Sequence, residues 1–141
     1  MSQHLRILVV SRHFSFRGPV AAAFLKSFNP GHEIFGYAAE GVRPMPGITR
    51  QMLWESYLED TSFRLINSTG IQDYHWDVVI ILDHSHNTTA SIPPAKTTFH
   101  LPLPALSVHE ARAARRLRDT IKNEMFMLLR DLNPITVQKP V

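Results

Sequence analysis

Seven consecutive residues near the N-terminus, Ser11, Arg12, His13, Phe14, Ser15, Phe16 and Arg17, carry the chemistry that this chain could do. They follow an aliphatic run, Ile7-Leu8-Val9-Val10, and precede Gly18-Pro19 and the alanines Ala21-Ala22-Ala23. A short continuous apolar run reads as a buried strand, and proline followed by good helix formers reads as a helix start. A polar loop between a strand and a helix N-terminus outlines an anion site. Loop N–H groups and the positive end of the helix dipole face the same point there. Arg17 at the helix entrance offers the planar fork that suits phosphate; its other reading is a salt bridge bracing the loop. Ser11 is a hydroxyl, a weak nucleophile without an adjacent general base. His13 is either such a base, or a phosphate acceptor, or a surface histidine bonded to water.

The surrounding pattern supplies the elements that would hold this loop. A helix over 19–28 stops at Asn29-Pro30-Gly31. A strand over 33–39, a loop over 41–47 and a helix over 49–58 follow, the last with Met52, Leu53 and Tyr57 as its buried positions. Ser68 is placed to cap a short helix ending near Trp76, and the aliphatic run over 77–83 reads as a central strand of a parallel sheet. A helical turn over 87–91, a strand over 96–101 and an amphipathic helix over 108–132 complete the chain. In that last helix Leu117, Ile121, Met125, Leu128 and Leu132 share a face, while Arg112, Arg115, Arg116 and Lys122 point outward. No aromatic platform interleaves with these arginines, so they read as a solvated face and not as a nucleic-acid stripe. Strands alternating with helices give a parallel α/β sheet with right-handed crossovers. Ligands in such sheets sit at the carboxyl ends of the strands, where 11–17 lies.

The first segment resembles the active-site loop of the low-molecular-weight protein tyrosine phosphatases and the related thioredoxin-coupled arsenate reductases. There, a buried strand runs into Cys, five residues and Arg, then a hydroxyl residue, Pro and an Ala-rich helix. Here the spacing, Ser15, Arg17, Pro19 and Ala21-Ala22-Ala23-Phe24 fall in register. The match continues diffusely along most of the chain. The resemblance implies one domain spanning 1–141, a three-layer α/β fold with a four-stranded parallel sheet flanked by helices, and a phosphate-binding loop made of residues 11–17.

The same resemblance marks what has been removed. Ser11 occupies the nucleophilic cysteine position, Phe14 replaces an asparagine whose amide braces the loop, and Gly18 replaces the hydroxyl that helps the leaving group depart. A bulky residue at Phe14 tolerates a left-handed backbone poorly, so the cup is expected to be distorted. Phe14, Phe16 and Leu103 are expected to crowd its mouth with apolar surface. The family's Asp-Pro pair, whose Asp protonates the leaving oxygen, aligns with Leu103-Pro104. General acid catalysis contributes roughly 10²–10⁴-fold, so both Ser11 and Leu103 are degenerate positions and no catalytic residue is expected.

Composition narrows the alternatives. The chain contains no cysteine, which excludes disulfides, thiolate metal sites and the cysteine cascade of the arsenate reductases. A hydrophobic content of 44% and a charged content of 19% suit a soluble globular chain. No membrane span or signal peptide pattern is visible, so a cytoplasmic location is the expectation. The formal charge of +3 suits a phosphorylated or acidic partner, or merely an ordinary basic surface. Of eight histidines, His100 and His109 flank the loop that lost its acid, and His84-x-His86 is only a weak metal signal. The reading is therefore a catalytically inactive phosphatase-like protein that binds phosphate or a phosphorylated protein, with no cofactor, metal, nucleic acid or membrane. Its rivals are an active phosphatase or phosphotransferase using Ser11 or His13, and a homodimeric or partner-binding module with a vestigial pocket.

Overall fold

The computed structural model describes residues 4–59, 63–83, 92–106 and 110–132. Five strands form one sheet: β1 (Arg6–Ser11), β2 (Glu33–Ala38), β3 (Arg64–Leu65), β4 (Trp76–Ile81) and β5 (Ala95–His100). Their order is β3-β2-β1-β4-β5 and every pairing is parallel. The α/β class and the parallel sheet are as the sequence implies; the strand count is five and not four. The extra strand, β3, is an edge strand of two exposed residues, too short to leave a periodic signal.

Among the described residues three α-helices accompany the sheet: α1 (Arg17–Phe28), α2 (Gly47–Glu55) and α3 (Ala111–Leu132). Side chains alternate across β1 as a strand requires. Ile7 and Val9 join the core that holds Ala22, Met52 and Ile121 from the three helices, while Leu8 and Val10 pack with Phe35, Ile71 and Trp76 on the other face. From Gly18 to Leu25 every residue of α1 is buried, because this helix is enclosed between the sheet and α3. Small alanines permit that close approach. Ala114, Leu117, Ile121, Met125 and Leu128 form the buried stripe of α3, and Arg112, Arg115, Arg116 and Lys122 lie exposed.

Two local expectations fail for identifiable reasons. Tyr57 is 96% exposed, because α2 ends at Glu55 and Tyr57 sits beyond its cap with a left-handed φ of 58°. Ser68 caps nothing; the residues before Trp76 form only a 3-10 turn (Gly70–Gln72), and Asn67 Oδ1 accepts the Gly70 N–H instead. The turn expected over 87–91 lies outside the described residues.

At the amino end of the sheet a buried histidine joins three segments. His32 is fully enclosed; its Nδ1 accepts the Leu5 N–H, and its Nε2 lies 3.0 Å from the Asn29 side-chain amide. Lys26 Nζ donates to the carbonyls of Pro30 and His32. Burial first, then the neighbouring His4 and Lys26, lower the His32 pKa from 6.5, with Asp77 opposing. The unfolded chain therefore binds a proton more readily than the folded one, and this contribution is present above pH 6.5 and lost as pH falls through the folded pKa. Urea midpoints measured between about pH 7.5 and 5 will decline, and decline less in His32→Gln. Identical slopes for the two proteins would show that His32 is not responsible.

Candidate functional site

Among the described residues, most of the loop's carbonyls accept hydrogen bonds and its backbone amides donate none. The Ser11, Arg12 and His13 carbonyls accept the N–H groups of Ala39, Glu40 and Arg43. The Ser15 carbonyl accepts Thr49 Oγ1 at 2.7 Å, and the Phe16 carbonyl accepts the Val20 N–H. By contrast, no backbone N–H from Arg12 to Arg17 donates a hydrogen bond among the described residues. Helix α1 also begins here without a side-chain cap. The free donors of a helix's first turn and of the loop before it are thus left for a ligand or solvent. Residues 11–17, with Pro46, Ala105 and Leu106, line a cavity of about 180 Å³.

Ser11 stands at the end of the central strand. Its side chain is only 2% exposed and its Oγ has no hydrogen-bond partner among the described residues. An unsatisfied buried hydroxyl costs about 1–3 kcal/mol, which an acceptor placed against it recovers.

Phe14 holds the loop in a way the sequence does not disclose. Its φ is 52°, so the left-handed conformation is adopted despite the bulky side chain. The ring is locked between two glycines. A Cβ on Gly18 would meet Phe14 Cδ2 at 2.3 Å, and one on Gly36 would meet Cζ at 2.2 Å. Phe63 closes the site edge-on, its ring centre 5.5 Å away. Aromatic packing thus holds Phe14 in the left-handed conformation. Phe14, Phe16 and Leu103 are 4%, 6% and 7% exposed and belong to the main core; Phe14 and Phe16 also line the cavity, and Leu103 does not. Leu103 places an aliphatic side chain in that core and presents its carbonyl to Arg17.

Arg17 is anchored from three sides. It donates to the carbonyls of Leu103 (2.8 Å) and Leu82 (3.3 Å), and it pairs with Asp83 at 2.6 Å. The two side chains are 13% and 3% exposed. The bracing role of Arg17 is therefore present, and a ligand would meet an arginine already fixed in direction. Asp83 is the residue that sequence reasoning missed. Burial raises its pKa from 3.8, and the attraction of Arg17, then Arg12, only partly offsets this. Its signal in the sequence was an acidic residue just past the carboxyl end of an aliphatic strand, where ligands of parallel sheets bind.

The remaining candidates are peripheral. Arg12 pairs with Glu40 at 3.1 Å. His13 turns its Nδ1 to the Gly41 carbonyl at 3.0 Å, and His100 Nε2 lies 2.8 Å from the Asp83 carbonyl. His84, His86 and His109 fall outside the described residues, among which no three acidic or histidine side chains gather into a metal site.

No protein-family model matches the chain, and neither does any curated protein. Solved structures do. The chain is similar to the tyrosine phosphatase Wzb from Escherichia coli in complex with sulphate (15% identity, TM-score 0.74, covering 92% of this chain and 99% of that one). It is similar to a mutant of the arginine phosphatase YwlE with a phosphorylated active-site serine (14% identity, TM-score 0.75, 92% and 96%). A third is an arsenate reductase in the phosphate-binding state (15% identity, TM-score 0.67, 90% and 98%). Its structural neighbours are thus phosphatases of this fold and arsenate reductases, and at these identities the likeness is one of fold.

Proposed function

We propose that this protein is a catalytically silent phosphatase-fold protein whose 11–17 loop binds the phosphate group of a small anion or a phosphorylated partner. The observation that carries the reading is the polarity of the loop: among the described residues most of its carbonyls accept hydrogen bonds, its backbone amides donate none, and the buried Ser11 hydroxyl has no partner. The sulphate complex of one structural neighbour and the phosphate-binding state of another fit a loop of this kind. Silence follows from Ser11, whose hydroxyl has no hydrogen-bonded base among the described residues to make an alkoxide at neutral pH, and from Leu103, whose side chain is core. Asp83 is not free to replace the acid while Arg17 holds it.

Calorimetry with inorganic phosphate and sulfate, alongside hydrolysis of an aryl phosphate, tests both halves. Heat of binding that disappears in Arg17→Ala, with turnover at the level of the blank, is expected. No heat at millimolar ligand would remove the binding half. Turnover well above blank that vanishes in Arg17→Ala would remove the other.

A second reading has one specific support. A serine in the active site of the YwlE mutant carries a phosphoryl group, so Ser11 could accept one from an activated donor and keep it for want of a group to hydrolyse it. Intact-mass measurement after incubation with an aryl phosphate discriminates the two; an unmodified mass favours binding alone.

A further inference from the structure

Beside the anion cup lies a second hollow of about 540 Å³, lined by Val42, Arg43, Pro44, Met45, Phe63 and Leu65. That volume is within the range of ligand pockets. Its rim is unusually apolar for an open surface: Val42 is 62% exposed and Leu65 52%. The two cavities share a wall, since Phe14 lines both. Their linings are also tied directly: Arg43, in the wall of the hollow, donates its N–H to the carbonyl of His13, in the wall of the cup, at 3.2 Å. Leu65 also belongs to β3, whose outer edge has no strand partner among the described residues.

We infer that the partner is a phosphorylated peptide segment carrying a leucine-like or aromatic side chain about three residues from its phosphoresidue. The inference rests on the anion-binding reading of the cup. Hydrogen-bonded backbones lie about 4.7–4.9 Å apart, so a cup and a hollow on opposite sides of the His13–Arg43 pair are roughly 10 Å from one another. An extended chain spans that distance in about three residues at 3.3–3.6 Å each. A free phosphate metabolite would fill the cup and leave the apolar hollow unused, whereas a peptide occupies both and can lie along the open β3 edge. Charge is complementary as well. Arg43 is in the wall of the hollow and Arg64 stands beside Leu65, suiting a segment that brings a dianion.

Fluorescence anisotropy on the full chain with labelled peptides provides the test. One peptide carries leucine three residues from the phosphate, one carries alanine there, and one is the unphosphorylated leucine peptide; phosphoserine and phosphotyrosine versions separate the two ester classes. The phosphorylated leucine peptide should bind about tenfold more tightly than the alanine peptide, as burial of one aliphatic side chain permits. Leu65→Asp and Val42→Asp should erase that preference while leaving the calorimetric affinity for inorganic phosphate unchanged. Equal binding of leucine and alanine peptides, with phosphate itself still bound, overturns this inference and spares the cup. Failure of phosphate to bind overturns the cup. A native chain that light scattering finds dimeric, and that Leu65→Asp makes monomeric, also overturns the inference, because a second copy then covers the hollow.

Discussion

Arg17→Met will lower stability at neutral pH by about 3–5 kcal/mol, the usual cost of removing one partner from a buried ion pair. For a chain of this size that amounts to a fall in melting temperature on the order of 10 °C. The loss comes less from the missing attraction than from Asp83, which is left 3% exposed with no cation against it. Two signatures separate this from a simple packing defect. Asp83 already has a pKa raised above 3.8 by burial, and loss of Arg17 will raise it further. A carboxyl group whose folded pKa is raised contributes stability below its unfolded pKa and loses it as pH rises through the folded value. The deficit of Arg17→Met against the native chain will therefore be greatest near neutrality and shrink on acidification toward pH 3.8. Second, Arg17→Met combined with Asp83→Leu will be more stable than Arg17→Met alone, since no charge remains buried. Urea denaturation of the three proteins across this pH range is the measurement. A pH-independent deficit, or a double variant worse than the single, would mean that the pair is not what ties β4 to α1.

Gly36→Ala will be nearly as damaging, although it adds one methyl group to a strand interior. The new carbon would stand 2.2 Å from Phe14 Cζ, and the ring has no retreat because Gly18 and Phe63 bound it on other sides. Overpacking of this kind costs about 1–3 kcal/mol, and the rigidity of the wedge places Gly36→Ala at the upper end. Removing the ring by Phe14→Ala should itself cost about 3–5 kcal/mol. The two losses will not add: with the ring gone, the alanine at position 36 has room, and the coupling in a double-mutant cycle should reach about 2 kcal/mol or more. Both single variants will also weaken phosphate binding, because Phe14 is the loop residue in the left-handed conformation. A cycle with no coupling, or Gly36→Ala binding phosphate like the native chain, would show that the wedge does not set the loop.

How far the sequence discloses the site depends on where the information lies. The strand Ile7-Leu8-Val9-Val10, the loop after it and the alanine helix are legible because each is local: an apolar run, a proline at a helix start, a fixed spacing to Arg17. The stripe of α3 is legible because its period is sustained over 22 residues. What the sequence conceals is pairwise and distant. Phe14 reads as a misfit until Gly18, Gly36 and Phe63 are seen around it, and these are contributed by three separate segments. Asp83 reads as the end of a strand until the fold brings it to Arg17, 66 positions earlier (83 minus 17). Strand β3 is set by its pairing of Phe35 with Arg64 and Gly36 with Leu65, and two exposed residues carry no pattern of their own. Tyr57 was mislaid by a helix boundary three residues out (58 against 55), enough to turn an apparent core position into a surface one.

The hydroxyl at the loop's base also fixes how the site meets oxidants. Thiolates at such positions are drawn by peroxide up the sequence of sulfenic, sulfinic and sulfonic acids, and each step disables the pocket. With serine at position 11 and no cysteine in the chain, that ladder has no first rung here. An anion bound as proposed would therefore stay bound under oxidising conditions that modify a thiolate at such a position.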